Sequence, residues 1–267
     1  MQVVIRGAGD LATGIGWRLH KCGFQVIMLD LPRPTCIRRT VAFSTVLEQA
    51  PGTEFTVEGV QAVHCETPEQ AIEAVKEKKV AVLADPEMKS LEHLELHVLV
   101  DAILAKKNLG TNMNLAPVVI GVGPGFTADK DCHFVVETNR GHYLGRVIEE
   151  GSAAANTGVP GNIQGYTSER ILRSPAAGVF EPLAEIGQLV KEGQVVGRVD
   201  GVPMYSQLDG MVRGMLAEGI QVTPGFKCGD VDPRGEKADY TTISDKARAI
   251  AGGVLEAILR RYGAFLG

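Results

Sequence analysis

Two patterns of apolar and polar positions run along this chain, and the change from one to the other divides it. In the first part, short continuous apolar runs are separated by amphipathic or polar stretches. Residues 3–5, 24–29, 60–64, 80–83 and 117–122 read as strands, and unbroken apolar runs of that length suit strands covered on both faces. Residues 97–104 mix strand and helix character. Residues 68–76 read as a helix, with Thr67 as N-cap and Pro68 at the first position, where its missing N–H costs nothing. Strands alternating with helical stretches predict a mostly parallel sheet with ligands at the carboxyl ends of its strands.

After residue 170 the pattern becomes short and rich in Val, Gly and Pro. It also repeats: the stretch from Ser174 aligns without a gap on the stretch from Ser206, at an offset of 32 residues. The offset matches Gly178 with Gly210, Gly187 with Gly219, Gly193 with Gly225, Gly197 with Gly229 and Asp200 with Asp232. Matched glycines imply matched turns, and two copies this short must pack on each other to bury a core. Each half resembles the barrel-sandwich hybrid of biotinyl and lipoyl domains. The link between the halves, residues 200–205, has no lysine, which argues against a swinging-arm carrier. The chain closes on a predicted helix. Ser244 caps it, Ala247, Ile250, Ala251, Val254, Leu255 and Ile258 share one face, and Arg260 and Arg261 complement its end. That face is expected to pack on the sheet, with a homodimer contact as the alternative. The expected organisation is residues 1–166 as a Rossmann-like α/β domain, 167–239 as a small all-β module like a barrel-sandwich hybrid, and 240–267 as the closing helix.

The first turn brings chemistry. Gly7-Ala8-Gly9-Asp10-Leu11-Ala12 follows the first strand and opens a helix, a G-x-G-x-x-A variant of the dinucleotide-binding turn. Gly7 permits the tight turn, Gly9 lets backbone approach a phosphate, and Ala12 allows close packing. Asp30, about 20 positions on, stands where an acid holds a ribose hydroxyl, and Arg33 leaves NAD and NADP both open. Asp10 is unusual, because an acid in the turn repels phosphate unless it caps the helix or points away.

A second concentration lies at residues 119–151. Gly121, Gly123 and Gly125 follow a strand, and Pro124 stiffens the loop. Behind them come Cys132, His133, Glu137, Arg140 and His142. Alternation should send Cys132 and His133 to opposite faces. Cys132 and His133 each have an ordinary structural reading beside a catalytic one. Arg140 and His142, flanking Gly141, suit an anionic ligand.

Composition narrows the rest. The chain has 267 residues, 45% hydrophobic and 22% charged, with a net charge of −5, a poor match to a nucleic-acid binder. No apolar run approaches the ~20 residues of a membrane span, and the N-terminus is not a secretory signal. A cytoplasmic protein without membrane partners is the expectation. Five scattered cysteines show neither a disulfide framework nor zinc spacing.

Taken together, IRGAGDLATG, IGVGPGF, VETNRGHYLGRVI, GDVDPRG and ISDKARAIAGGVLEAIL resemble the YqeB family, over essentially the whole chain. Gly7, Gly9, Asp10 and Gly14 carry the first motif. Gly123, Pro124, Gly125, Phe126, Glu137, Thr138, Arg140, Gly141, His142, Gly145 and Arg146 carry the middle one. The resemblance implies an accessory protein of selenium-dependent molybdenum hydroxylases, distantly like the XdhC group, with a Rossmann domain and the hydroxylase apoenzyme as partner. It implies binding or modification of the molybdenum–pterin cofactor or its nucleotide, or delivery of labile selenium. On that reading Gly7, Gly9, Asp10, Ala12, Gly14, Asp30, Gly123, Gly125, Arg140 and His142 bind cofactor, and Cys132, His133 and His142 are candidates for catalysis. The alternatives are an NAD(P)-dependent oxidoreductase, with His133, His142, Lys106 or Lys107 as proton donor, and a non-enzymatic scaffold.

Overall fold

The computed structural model describes residues 1–263. The last four positions of the expected 240–267 segment lie outside them. The chain forms two compact units. The first comprises Met1–Pro34, Ala42–Asn156 and the segment from Ile243; the second comprises Thr35–Val41 and Thr157–Thr242.

The first unit holds β1 (Gln2–Arg6), α1 (Asp10–Lys21), β2 (Gln25–Asp30), β3 (Glu54–Val57), β4 (Val60–Cys65), α2 (Pro68–Lys76), β5 (Val80–Ala84), β6 (Val98–Asp101), β7 (Val118–Val122), β8 (Thr127–Ala128), β9 (Phe134–Val136), β10 (Val147–Ile148), β11 (Gly151–Ser152) and α3 (Asp245–Tyr262). Nine strands make one sheet in the order β10-β9-β7-β6-β1-β2-β5-β4-β3. The seven inner strands are parallel, and β3 and β10 close the two edges antiparallel. Every residue of β1 and β7 is buried, as their unbroken apolar runs require. On one face Val4, Ile27 and Leu29 pack with Ala71 and Val75 of α2. The other face takes α1, whose Gly16 lies so close to β2 that a Cβ there would sit 3.1 Å from Met28 Sδ.

Helices α1 and α3 run side by side in the same direction. Near their starts, a Cβ on Gly14 would come within 2.7 Å of Ala247 Cβ. Near their ends, Cys22 and Gly23 line one cavity with Ile258 and Tyr262. Gly14 is therefore a packing residue at a close helix contact.

This architecture corrects the expected fold. It is not a Rossmann-like domain with a barrel-sandwich-hybrid module. The sheet is large and mixed. Strand β5 sits beside β2 with β4 outside it, and a 3-10 turn at Met113–Leu115, not an α-helix, lies between β6 and β7. The glycine turn encodes only a strand–turn–helix junction, and strand order is set by long-range pairing that this local motif does not carry.

The second unit holds β12 (Ile171–Arg173), β13 (Gly178–Pro182), β14 (Leu189–Val190), β15 (Val195–Val199), β16 (Val202–Tyr205), β17 (Gly210–Met215), β18 (Gln221–Val222) and β19 (Lys227–Asp232). They form two four-stranded sheets, β12-β19-β17-β14 and β16-β15-β13-β18. The 32-residue offset recurs in the hydrogen bonds. Ser174 N–H donates to Phe226 O at 2.8 Å and Ser206 N–H to Gln194 O at 2.9 Å, an exchange between halves. The short strand of each half pairs with the other half, β14 with β17 and β18 with β13. The segment Thr35–Val41 joins this unit, with Met215 N–H donating to Ile37 O at 2.8 Å.

A buried ion pair ties the strand ends of the first unit. Arg6, the last residue of β1, meets Asp101, the last of β6, at 3.2 Å, with the Asp101 side chain fully buried. The guanidinium also donates to Leu109 O, Thr111 Oγ1 and Pro86 O. Thr111 Oγ1 donates to the same Asp101 carboxylate oxygen at 2.5 Å. Removing one partner of such a pair strands a buried charge, at a cost of about 3–5 kcal/mol. Asp101→Asn is thus expected to lower stability by about that amount in urea unfolding, while a double change of Arg6 and Asp101 to apolar residues should cost less than Asp101→Asn alone.

Candidate functional site

The carboxyl ends of the parallel strands open into three loops: 7–10 after β1, 123–126 after β7 and 137–146 after β9. Helix α1 starts at Asp10 directly behind β1, with Gly9 as an N-cap that offers no side-chain cap. Helix α3 starts at Asp245 beside it, capped by Ser244, whose hydroxyl accepts Ala247 N–H at 3.2 Å. At the far end of α3, Tyr262 Oη donates to His97 O, just before β6 begins. Both helices therefore direct their positive N-terminal ends toward the carboxyl edge of the sheet, where first-turn amides lack intrahelical partners.

The turn at residues 7–10 is held by protein groups. Gly7 has φ +107, and its N–H donates to Leu29 O at 2.6 Å. A Cβ there would lie 3.0 Å from Ala102 O, so glycine is required by backbone packing as well as conformation. Asp30 accepts Ala8 N–H at 2.6 Å and Leu31 N–H at 2.7 Å. Burial raises its pKa, against the lowering effect of those two hydrogen bonds. Both carboxylate oxygens of Asp30 are thus committed to the turn.

The middle loops follow the same logic. A Cβ on Gly123 would meet Thr138 Oγ1 at 2.8 Å, and one on Gly125 would meet the Lys107 backbone at 2.7 Å. One on Gly253 of α3 would collide with Gly145 O. These glycines are filled by neighbouring chain. Buried Glu137 organises the next loop: Oε1 accepts the N–H groups of Thr138 and Asn139, and Oε2 that of Ala154, each at 2.7 Å. Arg140 leaves this loop and makes a two-pronged ion pair with Asp245, at 2.7 and 3.0 Å.

Lys246 completes the cluster. It occupies the second position of α3, where a cation opposes the helix dipole. It is half-buried. Burial pushes its pKa down, Arg140 adds to that, and Asp10, Glu137 and Asp245 oppose it. Among the described residues neither Lys246 nor Asp10 makes a direct hydrogen bond or ion pair. The cluster thus presents an ammonium and a carboxylate within electrostatic reach of each other, at two helix N-termini.

The sequence candidates fall into separate groups. Gly7, Gly9, Asp10, Ala12 and Arg140 lie at this edge. Gly14, Gly123 and Gly125 pack against protein, and Asp30 braces the turn. His142 is exposed on the 137–146 loop. His133 sits toward the other end of the sheet, where its Nδ1 accepts Val119 N–H at 3.0 Å, so its proton is on Nε2. Burial lowers its pKa, with Arg261 adding to the effect. Cys132 is fully buried in the apolar layer on the α2 face, with its thiol pushed up to about 12, chiefly by burial. Sequence reasoning missed Lys246. Its one signal was a lysine directly behind an N-cap and an aspartate, a position where acids are favoured.

Cys132 is expected to resist iodoacetamide in the native protein at pH 8, where its thiolate is scarce, while exposed Cys22 reacts; peptide mass spectrometry after timed alkylation checks this.

No protein-family model matches the chain. An aspartoacylase family protein from Mesorhizobium loti matches with a TM-score of 0.27 and 12% identity, over 86% of this chain and 84% of that one. A succinylglutamate desuccinylase from Silicibacter sp. TM1040 matches with a TM-score of 0.26 and 11% identity, over 86% and 84%. The curated protein "Uncharacterized protein YqeB" of Escherichia coli (strain K12) is 52% identical over 257 residues, covering 96% of this chain and 47% of YqeB. The chain thus spans about half the length of that relative, and the match across nearly all of its own length supports the YqeB family assignment.

Proposed function

We propose that this chain is an accessory protein of a selenium-dependent molybdenum hydroxylase, and that it holds the anionic end of the molybdenum–pterin cofactor, or of its nucleotide, at the carboxyl edge of the nine-stranded sheet. The observation that carries the binding reading is the pair of parallel helices, α1 and α3, whose N-termini meet there beside Lys246. The hydroxylase pathway comes from the sequence resemblance. The donor set fits a phosphate: first-turn amides, an ammonium without a direct partner among the described residues, and a guanidinium in a nearby ion pair. When bound, the cofactor supplies the molybdenum centre. Lys246 would neutralise the phosphate, the amides would orient it, and Arg140 would exchange Asp245 for it.

Two other readings have less support. Asp30, the acid expected to take a ribose hydroxyl, already accepts Ala8 and Leu31 N–H, which gives NAD(P) binding little to use. Selenium delivery through the Cys132 thiol has little support, because burial pushes its pKa up to about 12.

The test is anaerobic purification from a host that makes molybdenum cofactor and is supplied with selenium, followed by native mass spectrometry and elemental analysis. The expected result is a bound pterin species with molybdenum, reduced about tenfold in Lys246→Met, since a charged hydrogen bond contributes ~1.5–3 kcal/mol. A hydroxylase that matures fully in cells lacking the protein would contradict the reading.

A further inference from the structure

The loops that follow β6 and β9 are a basic part of an acidic chain. Residues 102–111 and 138–146 contain Lys106, Lys107, Arg140 and Arg146 and no aspartate or glutamate, although the whole chain has a net charge of −5. All four cations are exposed. So are His142 and two large apolar side chains, Leu109 at 45% and Tyr143 at 66%. The two loops meet across the glycine turn after β7. A Cβ on Gly123 would lie 2.8 Å from Thr138 Oγ1 and 3.4 Å from Leu104 Cδ2, and one on Gly125 would lie 2.7 Å from the Lys107 backbone. The Arg146 guanidinium stands 5.4 Å from the centre of the Tyr143 ring. These residues share one continuous face of the first unit.

Other groups hold that face in place. Arg6 donates to Leu109 O at 3.0 Å, and Asn108 exchanges two hydrogen bonds with the Thr111 backbone. Glu137 accepts three amides, and Gly145 lies so close to α3 that a Cβ there would sit 2.5 Å from Ala249 O. The exposed side chains are thus presented on a braced backbone, which lowers the ordering cost of an association. Gathering like charges on one face costs energy in the isolated chain, and an oppositely charged partner relieves it.

We propose that this face docks an acidic surface of a protein partner. Tyr143 and Leu109 supply its apolar contacts, and Lys106, Lys107 and Arg146 steer the approach. The exposed tyrosine and leucine favour a protein over a bare polyanion, because phosphate groups offer an aliphatic side chain nothing to pack on. The inference rests on the reading above, in which the partner is the hydroxylase apoenzyme, and adds the surface that meets it.

Carbodiimide cross-linking of the full chain with the molybdenum hydroxylase apoenzyme of the same organism tests it. The reagent activates a carboxylate as an O-acylisourea; a lysine amine in contact displaces the urea and forms an amide, so ion-paired contacts are the ones joined. Lys106 and Lys107 should cross-link to aspartate or glutamate of the hydroxylase, about tenfold less at ~0.5 M than at ~0.05 M salt. Lys106→Asn with Lys107→Gln should slow association about tenfold in surface plasmon resonance and leave molybdenum loading unchanged. Asparagine suits the φ of +63 at Lys106, so the loop is kept. Tyr143→Ala should speed dissociation about tenfold. Cross-links confined to lysines elsewhere, or an association rate indifferent to salt and to the paired variant, overturn the face and leave the hydroxylase reading standing. Absence of any association overturns the face as well, and molybdenum loading of the chain then decides the cofactor reading separately. Tighter binding of duplex DNA or phosphatidylserine vesicles than of the apoenzyme, through the same lysines at ~0.15 M salt, overturns the protein partner. Cross-links at Lys106 and Lys107 on a chain that never carries molybdenum keep the face and remove the cofactor reading.

Discussion

The Arg6–Asp101 ion pair is the constraint on which the edge of the sheet depends. Two adjacent parallel strands end in opposite charges, and the guanidinium reaches on to carbonyls of two further loops. Charges this deeply buried are favourable only when their remaining donors and acceptors are satisfied. Asp101 meets that condition with Thr111 and the Ile103 N–H as well as Arg6. The loop after β6 is thereby fixed, although Leu104 and Lys106 carry the positive φ values that non-glycine residues avoid. That loop in turn packs against Gly125. The position of the middle glycine-rich loop is therefore inherited from a pair more than a hundred residues earlier in its first member.

On this frame the two parallel helices set the electrostatics. An α1 that followed β1 alone would give one helix end at the edge. The C-terminal segment supplies the second, because small residues at Gly14, Ala247 and Gly253 let α3 approach both α1 and the loop after β9. Glu58 reinforces the approach by accepting Ile243 N–H and pairing with Arg248. Most glycines that looked like a ligand cradle serve this close packing. Among the described residues, Asp10 and Lys246 at the starts of these helices make no direct side-chain hydrogen bond or ion pair.

Local chemistry was legible in the sequence. The Thr67 cap, which accepts Gln70 N–H, and the Ser244 cap were both marked by residue type and spacing. So were the buried strands and the 32-residue repeat, because each depends on neighbours in sequence or on an internal copy. Strand order was not legible, since the glycine turn says nothing about whether β4 or β5 lies beside β2. The excursion of Thr35–Val41 into the second unit was hidden for the same reason. Asp30 and Gly123 carried motif-like signals whose partners, Ala8 and Thr138, are fixed only by the folded chain. Lys246 became visible only when α3 was placed beside α1.

The most direct measurement of the central claim is hydrogen–deuterium exchange of the protein with and without molybdenum–pterin cofactor released from a denatured molybdenum hydroxylase. The account predicts slower exchange confined to residues 7–12, 137–146 and 244–248, the loops and helix starts at the carboxyl edge. Slower exchange in the second unit, or around His133 and Val119 toward the other end of the sheet, would contradict it.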